Sequence, residues 1–373
     1  PMFNGTVRIS SPSARFRCYG HPMSGRVLVT GGAGFIGSQI VDQLVDSGRD
    51  VRVIDNFHPA AHTKRPEYLN PDAEYVEADV ADPSIYESAL EGVEAICHQA
   101  SMVGLGVDFG DAGDYVKDNC LGTARLLTAL SDREFRGPLV LASSMVVYGE
   151  GRYACPDHGT IRPSARRRED LEAGRFEPRC PECGNELKPE VVGEDAPADP
   201  RNVYAATKLH QEHLCGLFAR EAEGVRTVAL RYHNVYGPRM PRDTPYAGVA
   251  SIFRSSIAGG QAPSVFEDGG QIRDFVHVSD VARANVLALD PGSPAHGPFN
   301  IASGRPRTIL DMAELLATEA GPTAPTPEVT GEFRLGDVRH VFADPAKAAG
   351  ELGFTAEIGL EEGMREFATA ELR

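Results

Sequence analysis

A tyrosine and a lysine stand four positions apart in "YAATK", Tyr204 and Lys208, a spacing that puts both on one face of a helix. A cation beside a phenol favours the phenolate, and a phenolate can take a proton from a hydroxyl. Upstream, "ASSMVVYG" ends an apolar run in two adjacent hydroxyls, Ser143 and Ser144. The two residues after Ser144, Met145 and Val146, carry no group that can transfer a proton. The chemistry these residues offer is proton removal from a hydroxyl while hydride leaves its carbon.

Hydride needs an acceptor, and "TGGAGFIG" offers a place for one. Gly31, Gly34 and Gly37 recur at every third position between a strand pattern and a long helical pattern. Glycines there allow a tight turn and let the backbone approach a pyrophosphate at the helix N-terminus, where Phe35 and Ile36 open the helix. Asp55 ends the next strand, with Asn56 after it. A carboxylate in that place can accept both ribose hydroxyls and would repel a 2′-phosphate, so NAD is expected over NADP. Asp79, followed by Val80, is placed to meet the adenine amino group, with a turn cap as the plainer reading. Ala100, Asn119 and Ser143 complete the expected cofactor set.

These residues need a frame. Over the first 230 residues short apolar strands (26–31, 50–55, 73–79, 94–100, 138–144, 225–237) alternate with helical patterns (35–48, 115–131, 204–223). That alternation predicts an α/β fold, a doubly wound parallel Rossmann sheet over 26–232. From 233 to 373 helix-rich stretches at 248–258, 279–289, 307–320 and 344–372 predict a smaller, discontinuous, mixed α/β substrate lobe. Residues 1–25 contain three Arg and no Asp or Glu and are expected to be a leader outside the fold.

The chain of 373 residues is 42% hydrophobic and carries a formal charge of -16. No apolar run approaches the roughly 20 residues of a membrane span. The negative charge argues against nucleic-acid or anionic-membrane partners, and a cytoplasmic location is expected. Of seven cysteines, Cys18, Cys97, Cys120 and Cys215 lie among apolar neighbours and read as buried, inert thiols.

The other three belong to an insertion, 151–193, rich in Pro, Gly, Arg and Glu. It contains "CPDHG" and "CPECG", two short turns each closed by Gly, which offer Cys155, His158, Cys180 and Cys183. Three thiolates and an imidazole suit a tetrahedral, structural Zn²⁺ with no open position. A redox disulfide between Cys180 and Cys183 is the alternative. Its eight Arg or Lys against eight Asp or Glu leave no net basic footprint for nucleic acid.

"TGGAGFIG", "SSMVVYG" and "YAATK" together resemble the extended short-chain dehydrogenases/reductases, and among them the nucleotide-sugar epimerases. The resemblance covers 26 to 370 apart from 150–200 and includes "RYHNVYGPR" (231–239), "QIRDFVHVSDVA" (271–282) and "RLGDVRHVFAD" (334–344). It implies that Asn234, Arg273 and Arg334 hold the substrate's diphosphate and nucleotide, that Asp337 meets a ribose and that Phe266 stacks on the base. Structural ion pairs with Asp274 or Asp337 are the plainer reading of the two arginines.

The same resemblance gives Met145 and Val146 their meaning. Related dehydratases place an Asp and a Glu there, decarboxylases a Glu, and 3,5-epimerases a Cys nearby, each to move a proton at carbon. Without such groups the implied reaction is 4-epimerisation, with tightly bound NAD, Tyr204 as base and Ser144 on the O4 oxygen. The stretches "NVYAATKLHQEHL" and "VFEDGGQIRDFVHV" are most similar to the group acting on dTDP-6-deoxyhexoses such as dTDP-L-rhamnose. A UDP-hexose 4-epimerase, or a reductase that exchanges its cofactor, remains open. The resemblance also implies a homodimer through the helices near 115–131 and 204–223.

Overall fold

The computed structural model describes residues 25–372 except 60, 63, 105–108 and 243–247. The expected leader lies outside the described residues save Gly25, and so does Cys18. Strands β1 (Arg26–Thr30), β2 (Val51–Asp55), β3 (Glu74–Glu77), β4 (Val93–His98) and β5 (Gly137–Ser144) alternate with helices α1 (Phe35–Asp46), α2 (Tyr86–Ala89), α3 (Ala112–Tyr115) and α4 (Gly122–Asp132). A π-helical turn, Val116–Leu121, joins α3 to α4 within the stretch expected as one helix.

The insertion follows, with β6 (Arg152–Cys155), β7 (Gly159–Ile161), α5 (Arg168–Glu172) and β8 (Lys188–Glu190). After it come α6 (Val203–Glu221), β9 (Val225–Tyr232), β10 (Asn234–Tyr236) and α7 (Val249–Ala258). Then β11 (Ser264–Val265), β12 (Ile272–Arg273), β13 (Phe275–His277), α8 (Val278–Ala288), β14 (Gly297–Ile301), α9 (Ile309–Ala320) and α10 (Leu360–Thr369) complete the elements used below. The stretch 344–372, expected to be helix-rich, holds a helical turn that ends at Leu352, where Gly353 is left-handed at φ 67°, and then α10.

Seven strands form one parallel sheet in the order β14-β9-β5-β4-β1-β2-β3. Helices cover both faces, and the strands show why both must be apolar. Val27, Val29, Ala95, Cys97 and Val140 pack towards α1 and α8, while Leu28, Ile96, Leu139 and Leu141 pack towards α4 and α6. Successive residues of a strand point to opposite faces, so a sheet sandwiched between helix layers needs uninterrupted hydrophobic runs.

The chain order reverses between β1 and β4, and at such a switch point a crevice opens beyond the carboxyl ends of the strands. After residue 232, α8 packs on α1 and β14 pairs with β9 as the sheet's last strand. The remainder packs α7, α9 and α10 around Phe253, Met312, Leu316, Met364 and Phe367. Among the described residues no helix is long and apolar enough to cross a membrane.

Candidate functional site

The crevice between β1 and β4 is shaped for a closely approaching ligand. Gly31 is left-handed at φ 68°, and a Cβ there would lie 2.7 Å from the Ala100 nitrogen. A Cβ on Gly37 would lie 2.1 Å from the Gly31 carbonyl oxygen. Gly34 caps α1 without any side-chain hydrogen bond. The first helical bond runs from Ser38 N to the Gly34 carbonyl at 3.0 Å, so the amides of Phe35, Ile36 and Gly37 have no partner in the helix. The side chains of Phe35 and Ile36 pack into two different cores, leaving only their backbone to line the crevice. This combination of helix terminus, open amides and absent Cβ atoms fits a dinucleotide pyrophosphate.

Asp55 ends β2, buried, and accepts the amides of Ala33 and Phe57, each at 2.9 Å. One carboxylate thus joins the glycine loop to the turn after β2, and its remaining lone pairs suit a ribose. Asn56 is exposed and caps its own turn through His58 N at 3.1 Å. Asp79 accepts the Ala81 amide at 2.9 Å and pairs with Lys117 at 3.1 Å, so it does cap a turn. Val80 is buried against Gly122, which leaves its backbone alone for a cofactor.

Two expected cofactor contacts are engaged elsewhere. The Asn119 amide group is fully used, donating to the Met102 carbonyl and Thr207 Oγ1 and accepting from Met102 N and Ser101 Oγ. It ties the loop after β4 to α6. Ser143 Oγ donates to Glu212, which forms a bidentate pair with Arg231 at 2.9 and 2.8 Å. The strand's pleat sends Ser143 and Ser144 to opposite faces, and Ser143 falls on the side of this ion pair.

Ser144 falls on the other side. Its hydroxyl is near enough to Tyr204 to lower the phenol's pKa, and it caps the short turn Met145–Tyr148 by accepting Val146 N at 3.4 Å. Met145 packs against the small cluster of Val147, Tyr148, Val192 and Val341. Asn202 opens α6 by accepting Ala205 N at 2.8 Å, which places Tyr204 and Lys208 in the first turns of the helix. The Lys208 ammonium sits 5.9 Å from the Tyr204 ring centroid and donates to the Ala142 carbonyl at 3.0 Å.

Electrostatics in this arrangement differ from the sequence expectation. Burial raises the Tyr204 phenol above its ordinary value and outweighs the Ser144 hydrogen bond that lowers it. Burial also brings Lys208 down to about 7, against an attraction from Glu212 that raises it. Burial thus opposes charge on both groups, and a further positive charge beside them favours the phenolate. Tyr115, whose ring lies 6.1 Å from that of Tyr204, and Glu212 were not singled out from sequence; Glu212 stands four residues beyond Lys208 on the same helix.

The substrate-side residues converge from three segments. Asn234 opens β10, and its buried side-chain oxygen has no partner within the protein. The Arg334 guanidinium lies 5.2 Å over the Phe266 ring. Asp337 sits beyond it, its carboxyl raised by burial and partly restored by Arg334 and Arg273. Arg273 makes no ion pair with Asp274, which instead accepts Ser303 and Gly304. Its guanidinium donates to the carbonyls of Ile272, Arg339 and Val338 at 2.9, 2.9 and 2.6 Å, bracing the segment that carries Arg334 and Asp337.

Residues 27–181 and 183–302 match the NAD dependent epimerase/dehydratase family. The chain belongs to that family. A dTDP-L-rhamnose 4-epimerase of Burkholderia thailandensis is 36% identical over 92% of this chain and 94% of its own. A putative UDP-glucose 4-epimerase of Methanocaldococcus jannaschii is 31% identical over 91% of this chain and 96% of its own. Among solved structures, the Thermotoga maritima UDP-glucose 4-epimerase with UDP-glucose aligns with a TM-score of 0.75 at 29% identity, covering 92% of this chain and 97% of that one. The Thermus thermophilus enzyme in complex with NAD aligns at 0.73 with 30% identity, covering 92% and 97%.

This member of the epimerase family carries its insertion as a small antiparallel sheet, β7-β6-β8, over a core of Tyr153, Cys155, Cys180 and Leu187. The ligand atoms of Cys155, His158, Cys180 and Cys183 all lie within 4.8 Å of one another. Cys155 Sγ is 3.6 Å from Cys183 Sγ and 3.4 Å from His158 Nδ1, and Cys180 Sγ is 3.5 Å from the same nitrogen. Zn–S bonds of about 2.3 Å and a Zn–N bond of about 2.0 Å at tetrahedral angles require edges of about 3.8 and about 3.5 Å. The four groups could hold such an ion, with His158 Nε2 left to pair with Glu182 at 3.4 Å.

Proposed function

We propose that this NAD-dependent nucleotide-sugar 4-epimerase acts on a dTDP-6-deoxyhexose, dTDP-L-rhamnose or its C4 epimer, through Ser144, Tyr204 and Lys208. The observation that carries the reading is the Lys208–Ala142 hydrogen bond, which joins the helix of Tyr204 to the strand that ends in Ser144 beside a dinucleotide crevice. Apolar Met145 and Val146 stand where a proton-moving group would otherwise be expected.

In this reading Gly31, Gly34, Phe35, Ile36 and Gly37 hold the cofactor's pyrophosphate and Asp55 its ribose, with Asn56, Asp79, Val80 and Ala100 along the adenine side. Bound NAD⁺ supplies reversible hydride acceptance at the sugar's fourth carbon, together with a positive charge near Tyr204. Tyr204 takes the O4 proton and later returns it. Ser144 hydrogen-bonds O4 throughout, and Lys208 holds the phenol's helix to β5 and favours its ionisation. Asn234, Phe266, Arg273, Arg334 and Asp337 retain the nucleoside diphosphate while the 4-keto sugar turns over within the site. Zn²⁺ at Cys155, His158, Cys180 and Cys183 completes the cofactor set in a structural capacity.

The 36% identical relative named a dTDP-L-rhamnose 4-epimerase supports the sugar class. The UDP-glucose 4-epimerases support a second reading, a UDP-hexose substrate. Incubation with dTDP-L-rhamnose and with UDP-glucose, followed by proton NMR of the anomeric region, separates them. C4 epimerisation of the dTDP sugar is expected, and turnover of UDP-glucose alone would overturn the sugar assignment. Assembly as a cytoplasmic homodimer belongs to the same reading. Val116, Leu121 and Leu217 are exposed on the adjoining π turn and α6, an apolar face suited to a second copy. Light scattering that returns a monomer mass would refute it.

A further inference from the structure

One carboxylate of the insertion joins it to the buried charges of the substrate lobe. Glu177 lies three residues before Cys180, and its Oε1 accepts Arg339 Nε and Nη2 at 2.8 and 2.6 Å. Its Oε2 pairs with His340 Nε2 at 2.7 Å. Arg339 is almost completely buried, and it also pairs with buried Glu267 at 2.9 Å and with Asp268 at 2.8 Å. Other insertion residues grip the same strip of chain, Gly151 N among them, which donates to the His340 carbonyl at 3.0 Å. Arg166 pairs with Glu267 at 2.8 Å and donates to the Asp337 carbonyl at 2.8 Å, and the Tyr153 hydroxyl accepts His340 N at 3.1 Å. Residues 337–340 are thus held from the insertion side, while Arg273 holds Val338 and Arg339 from the other.

A charged cluster of this kind has to be held in register. Removing one member of a buried set leaves its partner desolvated and unpaired, so each group depends on the others being in place. The insertion has little apolar material with which to hold Glu177 still. Its described core is four side chains with Ile161 beside them, and two of the four are Cys155 and Cys180. Ordering costs of about 1–2 kcal/mol per residue exceed what such a core returns, whereas metal binding can supply free energy of that order. Both knuckle turns end in left-handed glycines, Gly159 at φ 69° and Gly184 at φ 75°, with open space around each.

We infer that the four-ligand centre and Glu177 form a clamp on the substrate's nucleotide subsite. The metal fixes the knuckles, the knuckles fix Glu177, and Glu177 fixes Arg339 and His340. Arg334 and Asp337 are thereby presented in one arrangement beside Phe266. Glu177 is a positioning residue, remote from the reacting carbon, so it governs nucleotide affinity and leaves the chemical step alone. The inference rests on the reading of Cys155, His158, Cys180 and Cys183 as zinc ligands and of 334–337 as the nucleotide segment.

The test uses the full chain as purified, with metal content measured by elemental analysis and nucleotide affinity by calorimetry with dTDP and UDP. One zinc per chain is expected. Glu177→Gln should keep that zinc while weakening binding of the preferred nucleotide about tenfold. It should raise KM for the epimerised sugar to match and leave kcat within about twofold. Glu177→Asp, which keeps a carboxylate, should recover part of the affinity. Cys180→Ser combined with Cys183→Ser should lose zinc and reproduce the affinity loss, with 151–193 becoming protease-sensitive. Unchanged affinity in Glu177→Gln, or a fall in kcat in place of the KM rise, would overturn the clamp. Wild-type protein without metal would overturn the zinc reading, and wild-type protein binding neither nucleotide would overturn the substrate reading beneath it.

Discussion

The Lys208 ammonium donates to the carbonyl oxygen of Ala142 at 3.0 Å, fastening the helix that carries Tyr204 to the strand that ends in Ser144. Ser144 and Tyr204 share one site because α6 and β5 are joined at that point, even though the whole insertion intervenes in the chain. Lysine therefore has a structural bond to keep as well as a charge to offer.

Tyr204→Phe keeps the ring and its packing but removes the proton carrier. The variant is expected to fold, to retain NAD and to lose roughly 10²-fold or more in kcat, the scale of general acid–base catalysis. Steady-state rates within a few-fold of wild type would remove Tyr204 from its role.

Met145 and Val146 give the site no means to exchange a proton at carbon. Turnover in deuterated water should leave the product free of solvent deuterium at every sugar carbon. Mass spectrometry or NMR showing label at the third, fifth or sixth carbon would contradict the assigned reaction type.

His98 is buried between Thr30 and Thr123, at 2.7 and 2.9 Å, and burial lowers its pKa from 6.5 to about 3. Below pH 6.5 the unfolded chain takes up a proton that the folded chain refuses. Its contribution to stability is therefore complete above pH 6.5 and is lost as pH falls towards 3, by up to about 1.4 kcal/mol per unit. Urea unfolding at pH 7 and pH 5 should show the decline, and ring nitrogen shifts should report a neutral imidazole at pH 5. An imidazolium signal in the folded protein at that pH would rule this out.

Glu212 and Arg231 are each under 10% exposed at the side chain, and Arg231 also donates to the Tyr148 hydroxyl at 2.9 Å. Glu212→Gln strands a buried guanidinium, and a loss of about 3–5 kcal/mol in unfolding free energy is expected. A change below about 1 kcal/mol in a urea titration would show that Arg231 finds another partner.

The sequence alone determined the parts of this protein that follow from local rules. Hydrophobic runs flanked by helical periods specified a parallel doubly wound sheet, because a strand covered on both faces must be apolar throughout. The glycines at 31, 34 and 37 announced the crevice, since only a missing side chain permits the approach of Gly37 to the Gly31 carbonyl. The spacing of Tyr204 and Lys208 placed both in one helix face, and the two Cys turns announced a four-ligand cluster. What the sequence left undetermined depends on which atoms meet across long separations. Ser143 and Ser144 are adjacent hydroxyls, and only the pleat of β5 shows that Ser143 turns to Glu212 while Ser144 turns to the opposite face. Nothing in the sequence around Asn119 shows that its amide will meet Met102 and Thr207. Nothing in the sequence singles out Glu177, Arg166, Arg339 and His340, because a charge gives no sign of its partner until burial removes the water that would otherwise screen it.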